Sequence, residues 1–206
     1  MPAFRLAALG DSFVEGRGDP DLDGPFHGWV PRLAEQLGIP QRGVLNLGTH
    51  QATTQDVVDR QLPAVLASKP PMIGVIVGVN DLVSDYDPER FRRNLGTIYS
   101  SLRGMDTTVF TAAYPDIPKN LAVPEVFRNL LRERFAEANS VLRETVAATG
   151  TLFLDVTAIP EWSQARMWAA DGLHPSVEGH RLFADQLTEF VARATGLVPP
   201  ALLVDG

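Results

Sequence analysis

Ala8-Leu9-Gly10-Asp11-Ser12-Phe13 ends the first apolar run of the chain, residues 5–9, on a glycine, an aspartate and a serine. A strand that stops on Gly-Asp-Ser sets a small hydroxyl at the carboxyl edge of a sheet, where open α/β sheets collect their ligands. A serine there becomes a nucleophile only if a base takes its proton and donors catch the oxyanion. Taken alone, the triplet reads first as a turn, because all three residues are turn formers. Partners elsewhere in the chain decide between the two readings.

Outward from this stretch, apolar runs alternate with amphipathic segments. Trp29, Leu33 and Leu37 recur at helical spacing, so residues 28–37 predict a helix closed by Gly38, with Trp29 in the core. Residues 44–47 predict a second strand, and Thr54 a cap for a helix carrying Val57, Val58, Leu62 and Val65. The unbroken apolar run 72–77 has the length of a strand buried on both faces, and it ends at Gly78-Val79-Asn80-Asp81. Asp87-Pro88 opens a helix with Phe91, Leu95, Ile98 and Leu102 on one face. Strands over 107–112 and 151–156, a long helix over 124–148 with an interrupted start, and a last helix over 176–193 complete the pattern. Five strand–helix alternations without repeats predict an α/β fold: a three-layer α/β/α sandwich on a flavodoxin-like five-stranded parallel sheet, order 2-1-3-4-5. Ser12 and Asn80 would then face one crevice from neighbouring strand ends.

A chain of 206 residues predicts one domain, spanning 1–206. Its formal charge of −7 and scattered arginines argue against a nucleic-acid groove. The absence of cysteine removes disulfides, thiolate metal sites and cysteine nucleophiles. No His/Asp/Glu cluster has metal-ligand spacing and no Gly-rich phosphate loop follows a strand, so neither metal nor cofactor is expected. With no leader and no membrane span in the sequence, the expected location is cytoplasmic. The apolar end, residues 198–204, can dock on its own domain or on a neighbour.

The partners Ser12 needs stand near the other end, in Ala170-Asp171-Gly172-Leu173-His174-Pro175-Ser176. Asp171 and His174 share a short loop before a helix. The acid can hold one ring nitrogen and leave the other to face Ser12, the division of labour of a serine triad. The competing reading is a shaped turn with an exposed histidine. Asn80 offers a side-chain amide to the oxyanion, against the plainer reading of a residue closing a strand, and the Ser12 N–H is a second donor. The loop 48–52 offers a third. His27 and His180 read as surface residues.

Together these blocks resemble the SGNH hydrolases, the GDSL-like lipase/esterase family, over nearly the whole chain. Gly10-Asp11-Ser12-Phe13 matches the nucleophile block, Gly78-Val79-Asn80-Asp81 the block of the oxyanion asparagine, and Asp171-Gly172-Leu173-His174-Pro175 the block of the acid and base. The resemblance implies Ser12, His174 and Asp171 as catalytic residues, with Ser12, Asn80 and a loop backbone N–H as the oxyanion hole. One block departs. The family pattern Asn-Leu-Gly-x-x-Gly-Ala-Thr-Thr reads here Asn46-Leu47-Gly48-Thr49-His50-Gln51-Ala52-Thr53-Thr54, which puts Gln51 where the donor glycine stands. A backbone N–H survives that change, whereas a left-handed φ would strain it.

The implied activity is a serine hydrolase acting on a small ester or thioester. Two alternatives stay open: an acyltransferase on the same acyl-enzyme, and a non-catalytic binding module of the same fold. Candidates for contact with substrate are Asp11, His50, Tyr114 and Trp168, against the reading that the aromatics only pack the core.

Overall fold

The structure is a computed structural model, and it describes residues 4–21 and 26–199. Strands β1 (Leu6–Gly10), β2 (Val44–Asn46), β3 (Met72–Ile76), β4 (Thr108–Ala112) and β5 (Leu152–Leu154) form one parallel sheet in the order β2-β1-β3-β4-β5, as expected. Ala8 sits opposite Asn46 on one side and Gly74 on the other, and Gly10 stands opposite Ile76. All five residues of β1 are buried, which is why that run does not alternate.

Helices cover both faces. α2 (Trp29–Gln36) packs against α8 (Val177–Thr195). α3 (Thr54–Asp56), α4 (Leu62–Ser68), α6 (Pro88–Leu102) and α7 (Glu125–Thr149) form the other layer. The chain moves from β1 to β2 in one direction and from β2 to β3 in the other. Right-handed crossovers therefore place α2 and α3–α4 on opposite faces. This reversal opens the crevice between the ends of β1 and β3.

Between the sheet and the α2–α8 layer lies an aromatic cluster. Trp29 is fully buried and meets Phe183 and Phe110 edge-on, at 5.3 and 6.3 Å between ring centres. Phe13, one residue after the candidate nucleophile, joins it at 4.9 Å from Phe183.

Local chemistry moves several boundaries. Thr53, not Thr54, caps the helix: it forms a capping box with Asp56, and this frees Thr54 for a buried role. β5 is shorter than expected because Asp155 accepts the Thr157 N–H and turns the chain. α7 is unbroken from Glu125 to Thr149 and ends on Gly150 in the left-handed region. The loop 159–172 carries two 3-10 turns, Pro160–Ser163 and Ala165–Met167. Of the apolar end 198–204, residues 200–204 lie outside the described residues. Among the described residues, no helix is long and apolar enough to cross a membrane.

Candidate active site

The site begins at the end of β1. A Cβ on Gly10 would stand 1.8 Å from the Ile76 carbonyl oxygen, so only glycine lets the two strands meet there. Asp11 then caps α1 (Ser12–Glu15), its Oδ1 accepting the Phe13 N–H at 3.0 Å. Ser12 is the first residue of that helix and is 7 % exposed.

β2 leaves the sheet after Asn46, so the last residue of β1 lacks a strand on that side. The Gln61 side chain takes its place. Its Oε1 accepts the Gly10 N–H at 2.8 Å and its Nε2 donates to the Gly10 carbonyl at 2.9 Å. Gln61 closes the π-helical turn Val57–Gln61 between α3 and α4, and it is almost wholly buried. Its role was missed in the sequence. The signal was there: Gln61 lies four residues from Val57 and four from Val65, a polar residue on an apolar stripe.

The loop 47–52 lies against α1. A Cβ on Gly48 would come within 2.2 Å of the Glu15 nitrogen. Asn46 ties the loop to the Ser12 helix, its Nδ2 donating to the Val14 carbonyl and its Oδ1 accepting from Gly48 N–H, both at 2.9 Å. Thr49 N–H donates to the Gly10 carbonyl at 3.2 Å. Gln51 is exposed and has φ +62°, the left-handed conformation that glycine adopts without cost.

Asn80 lies in α5 (Val79–Val83) and lines the cavity with Ser12. Its Nδ2 donates to the Ala52 carbonyl at 2.9 Å, which couples it to the Gln51 loop. A primary amide carries two N–H bonds, so one remains for an oxyanion. Beneath it, buried Asp81 accepts both the Thr54 N–H (2.9 Å) and the Thr54 hydroxyl (2.7 Å). Thr54 Oγ1 in turn accepts from Asn94 at 3.0 Å, so α3, α5 and α6 are locked together.

From the far end, His174 Nε2 stands 2.9 Å from Ser12 Oγ and His174 Nδ1 2.7 Å from Asp171 Oδ2. The other oxygen of Asp171 accepts the N–H groups of Leu173 and His174. Partial burial pushes the Asp171 carboxyl up. The hydrogen bonds from the His174 ring and from the two N–H groups outweigh it and hold the carboxyl below its ordinary value. The loop is a small clasp: Ala169 N–H donates to the His174 carbonyl and Ser176 N–H to the Met167 carbonyl, each at 2.8 Å. Ser176 then caps α8.

A narrow cavity of about 50 Å³ adjoins Ser12, and Asp11, Tyr114 and Trp168 line it together with Asn80 and His174. His50 does not. It is exposed beside Gln51 and Arg60, in a separate recess. Burial raises the Asp11 carboxyl to about 7; the Phe13 N–H pulls it down and the Asp81 charge adds to the rise. Asp11 Oδ2 is buried with no hydrogen-bond partner among the described residues.

His180 corrects a sequence reading: it is fully buried rather than on the surface. Its Nε2 lies 2.8 Å from the Arg17 carbonyl and its ring lies against Phe13 at 5.1 Å. It shares the apolar stripe of α8 with Phe183, Ala184 and Leu187. Burial lowers its imidazole to about 4, so the ring is neutral and its Nε2–H is the donor. Arg17 adjoins Gly18, whose backbone packs against Pro175, so His180 supports the floor beneath the His174 loop.

Known proteins resemble this chain in sequence and in fold. An acetylxylan esterase from Geobacillus stearothermophilus is 25% identical over 202 residues, covering 87% of this chain and 90% of that protein. The lipase/acylhydrolase from Enterococcus faecalis superposes with a TM-score of 0.72 at 24% identity, over 95% of this chain and 98% of that one. The esterase EstA from Pseudoalteromonas superposes with a TM-score of 0.70 at 14% identity, over 93% and 98% of the two chains. The profile of the GDSL-like lipase/acylhydrolase family matches residues 8–182, from the strand that presents Ser12 into the helix that follows His174. The chain belongs to that family, and its class of enzyme is the serine esterase.

Proposed function

We propose that the chain hydrolyses carboxylic esters through Ser12, His174 and Asp171, acting as one catalytic domain. The observation that carries this reading is the continuous relay of 2.9 and 2.7 Å from the Ser12 hydroxyl through His174 to Asp171. His174 Nε2 takes the hydroxyl proton while Ser12 Oγ bonds to the acyl carbon. The negative charge gathers on the carbonyl oxygen, where the second Asn80 N–H, the Ser12 N–H and the Gln51 N–H are the donors. His174 returns the proton to the leaving alcohol as the C–O bond breaks. Water then repeats the sequence: its proton goes to His174, its oxygen to the acyl carbon, and the Ser12 Oγ leaves with the proton. Asp171 keeps the imidazole in the tautomer with its proton on Nδ1. The acetylxylan esterase relative supports an oxygen ester over a thioester.

The test is intact mass after exposure to a small fluorophosphonate. A single adduct on the wild type and none on Ser12→Ala is expected. Normal ester turnover by Ser12→Ala would overturn the assignment.

A further inference from the structure

The walls of the cavity beside Ser12 are fixed by hydrogen bonds rather than by contact alone. Trp168 Nε1 donates to the Trp162 carbonyl and Trp162 Nε1 to Gln186 Oε1, both at 3.1 Å. The two indoles meet edge-on at 5.8 Å, and Trp162 meets Phe183 at 6.0 Å. Opposite them, Tyr114 Oη donates to the Val77 carbonyl at 2.7 Å. The Asn139 amide grips the Tyr114 backbone twice, at 2.9 Å each. Neither indole nor the Tyr114 ring can swing aside without leaving a buried polar group unpaired.

The space they enclose is small. One buried water needs roughly 10–15 Å³ of such volume. The cavity of about 50 Å³ therefore exceeds the room one water needs and suits a short alkyl group rather than a long chain. Its surface is mostly aliphatic and aromatic, with Ile76, Ala113, Tyr114, Trp162, Trp168 and Phe183 as its walls. Among the described residues, no basic side chain apart from His174 lines it, so a charged acyl tail would lose its hydration there without gaining a partner.

We infer that the enzyme is selective for short, uncharged acyl groups, acetyl to butyryl, and that Trp162 and Trp168 form the end wall that sets the limit. This rests on the reading that Ser12 is acylated. The acyl carbonyl sits at Ser12 and the alkyl tail enters the cavity. A tail longer than the cavity must stay in solvent or displace a hydrogen-bonded indole.

The experiment is a p-nitrophenyl ester series, acetate to octanoate, with fluorophosphonate labelling of the same preparation. We expect kcat/KM to fall at least about tenfold between butyrate and hexanoate, the size of effect one or two misfitting methylenes produce. Trp168→Ala should shift the preference toward longer chains. Should that variant fail to fold, Ala113→Val narrows the same space without removing a core ring, and it should lower the butyrate-to-acetate ratio about tenfold. A flat series, an optimum at octanoate, or an unchanged ratio in Ala113→Val sinks the inference while a labelled serine leaves the hydrolase reading standing. A folded wild type that neither labels nor turns over any ester overturns both.

Discussion

The proposed nucleophile and the proposed base are held over very different distances along the chain. Gly10, which launches Ser12, is clamped by Gln61 across 51 residues, and the helix carrying Ser12 is tied to Asn46 across 32. His174 and Asp171 are three residues apart, and the clasp that carries them closes on itself between Met167 and Ser176. The base end is a local device. The nucleophile end exists only when β1, β2 and the π-helical turn have come together. Damage at the first should cost chemistry alone, and damage at the second both chemistry and stability.

The largest expected effect lies at the base end. His174→Ala should drop kcat by about 10⁴-fold or more with little change in Tm. Asp171→Asn should lose less than His174→Ala, because the Oδ1 acceptor of the backbone N–H groups survives; the reverse order would contradict a loop held partly by its own backbone. Next comes Asn80→Ala, expected to lower kcat by about 10²–10³-fold in a folded protein. Gln61→Met then sharpens the contrast. It removes both bonds to Gly10 and leaves the Gly10 N–H unpaired, which costs about 1–3 kcal/mol. Steady-state kinetics and thermal melts should show kcat and Tm falling together for Gln61→Met, and kcat falling alone for Asp171→Asn. If the two variants behave alike, the distinction between the two ends is wrong.

The smallest effects concern pH and stability, and they come from two buried groups of opposite sign. Asp11, raised from 3.8 to about 7, keeps a proton in the folded chain that the unfolded chain has lost, so its contribution weakens as pH climbs through that window. His180, lowered from 6.5 to about 4, stays neutral in the folded chain while the unfolded chain takes up a proton. Its contribution therefore strengthens as pH rises from about 4 to 6.5. Each slope approaches about 1.4 kcal/mol per pH unit, and in the wild type they oppose each other. Asp11→Asn should therefore make stability climb steeply from pH 4 to 6.5, and His180→Leu should make it decline from pH 4 to 7. Chemical denaturation at each pH separates the two; parallel profiles for both variants would refute the pairing.

Sheet order and helix faces were legible in the sequence because apolar period and right-handed connection leave few topologies open. The Ser12, Asn80 and Asp171–His174 blocks stood out because each closes a strand or precedes a helix. What stayed hidden was long-range polar pairing. The bond from Gln61 to Gly10 depends on where β2 stops, and that boundary is set by the loop's approach to α1, which Asn46 ties down through Val14 and Gly48. The burial of His180 depends on a carbonyl at Arg17, far away in sequence. In both cases the residue's place on an apolar stripe was visible and its partner was not. The cap at Thr53 was missed for a related reason: Thr53 and Thr54 are chemically alike, and their partners distinguish them, Asp56 for Thr53 and the Asp81 carboxylate for Thr54.

Trp168 pairs with Pro175 in a two-residue bridge, so the end of the acyl cavity and the residue next to His174 are one piece of backbone. Substrate range and turnover are thereby mechanically linked. A descendant that widened its tolerance by eroding Trp168 would cut that backbone's side-chain anchor on the Trp162 carbonyl in the same step. The other side of the cavity carries no such penalty, since Ala113 follows β4 and touches neither Asp171 nor His174 through any hydrogen bond. Drift toward new esters should therefore enter through the β4 side, and a directed-evolution library is better spent there than on the tryptophans.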